Sequence, residues 1–110
     1  MRSEKRPDYE VAGREIVAET AELRMVVMTL AQGQEVPWHW HSNVTDHFFC
    51  MRGPMLVETR APREIFELNA GDTCVVPAKR AHRVTGKNEG ECKFALLQGV
   101  GVYDFHPVGD

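Results

Sequence analysis

Apolar and polar residues along this chain alternate with a period of two, in short runs that turn residues end. The runs are REIVAET (14–20), ELRMVVMTL (22–30), VPWHWH (36–41), DHFFCM (46–51), PMLVETR (54–60), REIFELN (63–69), DTCVVP (72–77), AHRVTG (81–86), ECKFALLQ (91–98) and VYDF (102–105). Alternation of this kind puts successive side chains on opposite faces of a strand, so the pattern predicts about ten short strands and no helix. Between them AQGQE, MRGP, RAPR, NAGD, GKNEGE and GVG supply the Gly, Pro and Asn that tight turns require, and neighbouring strands are expected to pair antiparallel. The segment 14–30 contains Ala, Glu and Leu as a helix would, yet its β-branched clusters favour strands. Ten strands so closely spaced leave no room for crossover helices, which points to a small all-β sandwich or barrel.

Length and composition narrow this further. The chain has 110 residues, 43% of them hydrophobic, enough for one core and too few for two. The first eight residues read as a mobile arm and residues 9–110 as one domain. A net charge of -3, with Lys and Arg interspersed among Asp and Glu, offers no basic stripe for nucleic acid. The N-terminus lacks an apolar signal segment and no run of apolar residues is long enough to cross a membrane, so a soluble cytoplasmic protein is expected. Cys50, Cys74 and Cys92 are odd in number and widely spaced, which reads as buried thiols rather than a disulfide framework or a thiolate zinc site.

The stretch PWHWHSNVTDHFFCMRG (37–53) breaks the apolar pattern with titratable groups. Residues two apart on a strand share a face about 7 Å apart, so His39 and His41 form a two-imidazole platform for a metal while Trp38 and Trp40 point away. The connection Ser42-Asn43-Val44-Thr45 has hairpin length, which would return Asp46 opposite His41 on the same side and turn His47 outward. Alternation then places Asp46, Phe48 and Cys50 inside and His47, Phe49 and Met51 outside. His82, after the turn at Pro77, is the candidate fourth ligand.

These residues carry a family resemblance. Gly33-x5-His39-x-His41-x4-Asp46-x6-Gly53 resembles the first cupin motif, and Gly71-x5-Pro77-x-Lys79-x2-His82-x3-Gly86 the second. The resemblance implies a small jelly-roll barrel (a double-stranded β-helix), often a dimer, with a divalent metal inside held by three His and one Glu. Carried over, it makes His39, His41 and His82 metal ligands and puts Asp46 at the Glu position. Asp46 is one methylene shorter, so it binds by a local shift, binds through a water, or acts as an acid or base beside the metal. Lys79 stands where the family turn usually has Gly, and Gly86 where it has Asn.

Around that site, His47 and His106 read as surface or subunit-contact residues. Trp38, Trp40, Phe49 and Met51 read as one exterior patch suited to a homodimer contact. Phe48, Phe66, Phe94, Leu96, Met28 and Cys50 are expected to fill the barrel, and Arg80, Arg83 and Gln98 lie near enough in sequence to meet an anionic substrate. A donor set of three nitrogens and one oxygen suits Fe, Mn, Ni, Zn or Cu and leaves coordination positions open. A redox-active ion would imply dioxygenase chemistry on a small oxygenated molecule. A redox-inert ion would imply isomerase, lyase or decarboxylase chemistry, with Asp46 as general base if it is unligated. A non-catalytic barrel that stores or reports a small ligand or metal is the alternative.

Overall fold

Each alternating run becomes a strand because only a sheet hides its apolar face while pairing its backbone. The computed structural model describes residues 9–108; the arm expected over residues 1–8 lies outside the described residues, as do residues 109–110. The strands are β1 (Gly13–Glu19), β2 (Leu23–Leu30), β3 (Glu35–Trp40), β4 (Thr45–Arg52), β5 (Met55–Thr59), β6 (Glu64–Leu68), β7 (Thr73–Val76), β8 (His82–Gly86), β9 (Cys92–Gly99) and β10 (His106–Pro107). A short 3-10 turn, Lys87–Glu89, precedes β9.

Two five-stranded antiparallel sheets result. The first has the order β1-β2-β9-β4-β7 and the second β10-β3-β8-β5-β6. Only β1 with β2 and β5 with β6 are sequential hairpins; every other connection crosses from one sheet to the other. This is the all-β double-stranded β-helix expected from the strand pattern and the motif resemblance, reached mostly by crossovers instead of hairpins.

That topology corrects three expectations. Residues 42–45 are not a hairpin turn: β3 pairs with β8 and β10, and β4 with β9 and β7, so His41 and Asp46 face each other from opposite sheets. Trp38 and Trp40 therefore do not share a face with Phe49 and Met51. Trp38 is 9% exposed under the Arg60 guanidinium, 3.9 Å from its ring centre, and Trp40 stacks on His106 at 4.1 Å. Phe49 and Met51 lie exposed on the first sheet. Finally, residues 102–105 are not a strand. They cross the barrel mouth, where the Asp104 carbonyl accepts from His41 Nδ1 at 2.6 Å, so that group serves a side chain instead of a ladder.

Strict alternation also fails within β3. Val36 opposes Val84 and His39 opposes His82, so two residues of β3 face one of β8 in a bulge at Pro37-Trp38. Pro has no N–H to give the ladder, which makes it a natural bulge residue. Val36 and His39 consequently both point inward.

The core fills the barrel interior up to the site, where Phe48, Phe94, Met28 and Leu96 line the metal cavity. Leu30, Met55, Cys92 and Phe94 are fully buried in it, and Phe48 and Phe94 rings pack 5.7 Å apart. Met28, Cys50 and Leu96 join this core as expected, while Phe66 only flanks it, partly buried. All three cysteines are free and buried, with thiol pKa values raised by desolvation. Among the described residues no helix is long and apolar enough to cross a membrane.

Candidate metal centre

His39 and His82 are register partners on β3 and β8, with ring centres 4.2 Å apart, and His41 follows just past the end of β3. Asp46 comes from β4 in the facing sheet. One donor atom from each of the four lies within 4.8 Å of the others, and all four residues are buried. The expected set is thus brought together, although from two sheets.

Backbone carbonyls orient the imidazoles. His39 Nδ1 contacts Pro37 O at 2.7 Å, His41 Nδ1 contacts Asp104 O at 2.6 Å, and His82 Nδ1 contacts Arg80 O at 2.9 Å. A carbonyl only accepts, so each Nδ1 carries its proton and each ring turns its Nε2 inward. The Pro37 carbonyl that holds His39 lies in the β3 bulge, so the bulge helps to aim the ligand.

A row of polar side chains crosses the first sheet at the same level. Arg24, Gln98 and Asp46 are successive register partners on β2, β9 and β4. Arg24 Nε donates to Gln98 Oε1 at 2.8 Å, and Gln98 Nε2 donates to Asp46 Oδ1 at 3.0 Å. The orientation of the amide is forced, because Arg offers only donors and the carboxylate only acceptors. The other Asp46 oxygen, Oδ2, lies 2.8 Å from His82 Nε2 and 3.2 Å from His41 Nε2.

Electrostatics follow from this packing. Burial, with repulsion from His82 and His41, pushes the His39 pKa down to about 3, so its ring is neutral at neutral pH. Burial also disfavours the His41 imidazolium, but the Asp46 carboxylate outweighs it and raises the His41 pKa. Asp46 is opposed by burial in the same way, yet His41 and His82 hold its carboxyl well below the usual range.

These residues fit a divalent cation. His41 Nε2 is buried and, despite its proximity to Asp46, makes no hydrogen bond of acceptable geometry. With each Nδ1 committed to a backbone carbonyl, the three Nε2 atoms are left to face Asp46, and a cation there would take the three nitrogens and the carboxylate oxygen together as donors. Three nitrogens and one oxygen suit a first-row divalent ion without selecting one. The cavity beside them measures about 20 Å³. That is room for one water or ion, not for an organic molecule.

The family model for the cupin domain matches residues 26–98, more than half of the chain. The chain belongs to the cupin family. Solved structures agree on the fold. An uncharacterized protein with a double-stranded β-helix domain from Klebsiella pneumoniae superposes with a TM-score of 0.77 at 22% identity, covering 96% of this chain and 90% of that one. KdgF from Halomonas sp. has a TM-score of 0.68 at 22% identity, covering 86% and 88% of the two chains. The oxalate decarboxylase of Lactobacillus farciminis, in complex with formate, has a TM-score of 0.69 at 17% identity; 79% of this cupin matches 27% of that chain. No curated protein matches this chain by sequence.

Other residues fall differently from the sequence expectation. Arg80 and Arg83 do not reach the cavity: Arg80 is held by Glu64 at 2.7 Å and the Pro62 carbonyl at 2.8 Å, and Arg83 by Glu35 at 2.8 Å. Gln98 reaches it, through Asp46. His47 turns outward as alternation requires, and His106 contacts Ser42 and Asp104 at 3.0 Å each. Sequence reasoning missed Arg24, Tyr103, Phe105 and Tyr9. Phe105 stacks on His39 at 4.5 Å, Tyr103 lies 3.7 Å from the Arg24 guanidinium, and Tyr9 stacks on Phe105 at 6.0 Å. For Arg24 a signal existed, since it shares parity with Val26, Met28 and Leu30. The aromatics had none, because they arrive on irregular backbone.

Proposed function

We propose that this cupin is a metal-dependent enzyme acting on a small oxygenated organic molecule at the barrel mouth, with His39, His41, His82 and Asp46 holding the metal. The convergence of three inward Nε2 atoms and one carboxylate, with His41 Nε2 left without a hydrogen-bond partner, carries this reading. Bound there, Fe or Cu would supply dioxygenase chemistry, and Zn, Ni or Mn would polarise a carbonyl for isomerase or lyase chemistry.

The chain's own contribution is positioning. The Pro37, Asp104 and Arg80 carbonyls keep the imidazoles in the ligating tautomer. Gln98 anchors one Asp46 oxygen and leaves the other for the metal. A general base needs a pKa near the working pH, whereas Asp46 is held low, which supports a ligand role over a base role. Phe105 and Tyr103 cover the imidazoles and exclude water. That the same fold occurs in an oxalate decarboxylase supports an enzymatic reading only by analogy of fold.

A cavity of about 20 Å³ favours a second reading, a barrel that holds a metal without turnover. Elemental analysis of protein purified without a His-tag or chelator, followed by oxygen uptake with phenolic and dicarbonyl compounds, separates the two. Stoichiometric Fe or Cu with uptake establishes the oxygenase form. Zn, Ni or Mn without uptake moves the reading to isomerase or lyase chemistry, and metal without turnover of any substrate supports the binder. In His39→Ala the metal content should fall severalfold; equal, tight retention would show that the site is elsewhere. Buried free thiols support a reducing, cytoplasmic setting. Exposed Phe49, Met51 and Val75 on the first sheet support a homodimer, read by light scattering.

A further inference from the structure

The small metal cavity and an open groove share a wall. The groove, about 530 Å³, is lined by Glu19, Thr20, Leu23, Gly101 and Val102, together with Arg24, Gln98 and Tyr103. Those last three also line the metal cavity. Arg24 thus stands where groove and cavity meet, with the Tyr103 ring stacked over it.

Among the described residues no ion pair compensates its charge. Arg24 is 8% exposed, and its hydrogen-bond partner among the described residues is the neutral amide of Gln98, through Nε. No carboxylate of a described residue lies within ion-pairing distance of it. A buried guanidinium without an anion is costly to keep, and its remaining N–H donors form a planar fork that matches a carboxylate. Asp46 cannot supply the counter-charge, because Gln98 stands between them and its oxygens serve Gln98, His41 and His82. A divalent cation at the imidazoles would add further positive charge, offset by one carboxylate. Arg14, which donates to the Tyr9 hydroxyl at 2.8 Å, adds a cation at the rim.

We propose that Arg24 binds the carboxylate of the substrate, so that this cupin selects short organic acids entering from the groove, with Tyr103 closing over the bound guanidinium. The substrate class rests on the metal reading above only for the fate of the acid's other end; recognition of the anion by Arg24 does not.

Two titrations at constant ionic strength test this. In the first, chelator-treated protein is heated with acetate or with neutral, near-isosteric acetamide. Acetate should raise the unfolding midpoint of the wild type and acetamide should not; Arg24→Gln should abolish the difference, and Arg24→Lys should keep part of it. In the second, Co(II)-loaded protein is titrated with lactate and lactamide while the visible spectrum of the metal is followed. Lactate should bind at least tenfold more tightly, and Arg24→Gln should remove that preference with Co(II) stoichiometry unchanged. Equal response of the wild type to acid and amide overturns the proposal, whether or not the variants fold, as does an undiminished acid preference in Arg24→Gln. Failure to take up Co(II), with the acetate preference intact, sinks the metal reading and leaves the anion site standing.

Discussion

Metal-free protein should lose stability in mild acid through His39, and replacing that residue should flatten the loss. His39 is 4% exposed, stacked on Phe105 at 4.5 Å with the tilted His82 ring at 4.2 Å, and its pKa is pushed from 6.5 to about 3. Between those values the unfolded chain binds a proton that the folded chain refuses, so stability falls as pH falls. Each pH unit well inside the window costs about 1.4 kcal/mol, and from pH 6.5 to pH 5 the loss integrates to about 1.7 kcal/mol. The neighbours do not obscure this interval. His41 has a raised pKa, so its contribution is complete below 6.5 and is lost only as pH rises through its folded value. Asp46 has a lowered pKa, so its contribution is complete above 3.8 and is lost as pH falls through its folded value. Urea unfolding of chelator-treated wild type and His39→Gln at pH 6.5 and pH 5 reads the difference directly. The glutamine keeps a donor for the Pro37 carbonyl but does not titrate. Parallel losses in the two proteins would refute the reasoning, since the wild-type slope would then come from elsewhere.

Gly86→Ala should destabilise by about 3 kcal/mol, because the added Cβ would overlap the Gly90 carbonyl oxygen and backbone must move; a thermal melt checks it. Lys79→Gly should stabilise by up to about 1 kcal/mol: Lys79 has φ +73°, a left-handed conformation costly for an L side chain, and its N–H bond to the His41 carbonyl survives the change. An unchanged or lower denaturation midpoint would contradict that. Phe94→Ala, at a fully buried ring packed on Phe48, should cost about 3–5 kcal/mol in urea unfolding. Protein loaded with metal should release it as pH falls below about 6, since protons compete for the imidazoles; full occupancy at pH 5 would count against a histidine site.

Period-two alternation and turn residues were enough to place nine of the ten strands within a residue or so, because strand parity is a local property of the chain. The same parity put His39, His41, Asp46 and Phe48 inward and His47 outward. The spacing of the two motifs added His82; of the two departures, Lys79 sits in a turn with a left-handed φ, whereas Gly86 ends β8 in extended backbone close against the Gly90 carbonyl.

Pairing was not local. A four-residue connection serves a hairpin or a crossover equally well, so the route by which Asp46 meets His41 could not be read from residues 42–45. Once β3 and β4 lie in different sheets, Trp38 and Trp40 part from Phe49 and Met51, and Arg60 and His106 cover the tryptophans. The bulge at Pro37-Trp38 depends on what β8 offers opposite it. Closure of the mouth by Tyr103 and Phe105 depends on where irregular backbone comes to rest. The ligand types and their spacing are written in the chain, whereas the row from Arg24 through Gln98 to Asp46 exists only because three strands distant in sequence pair side by side.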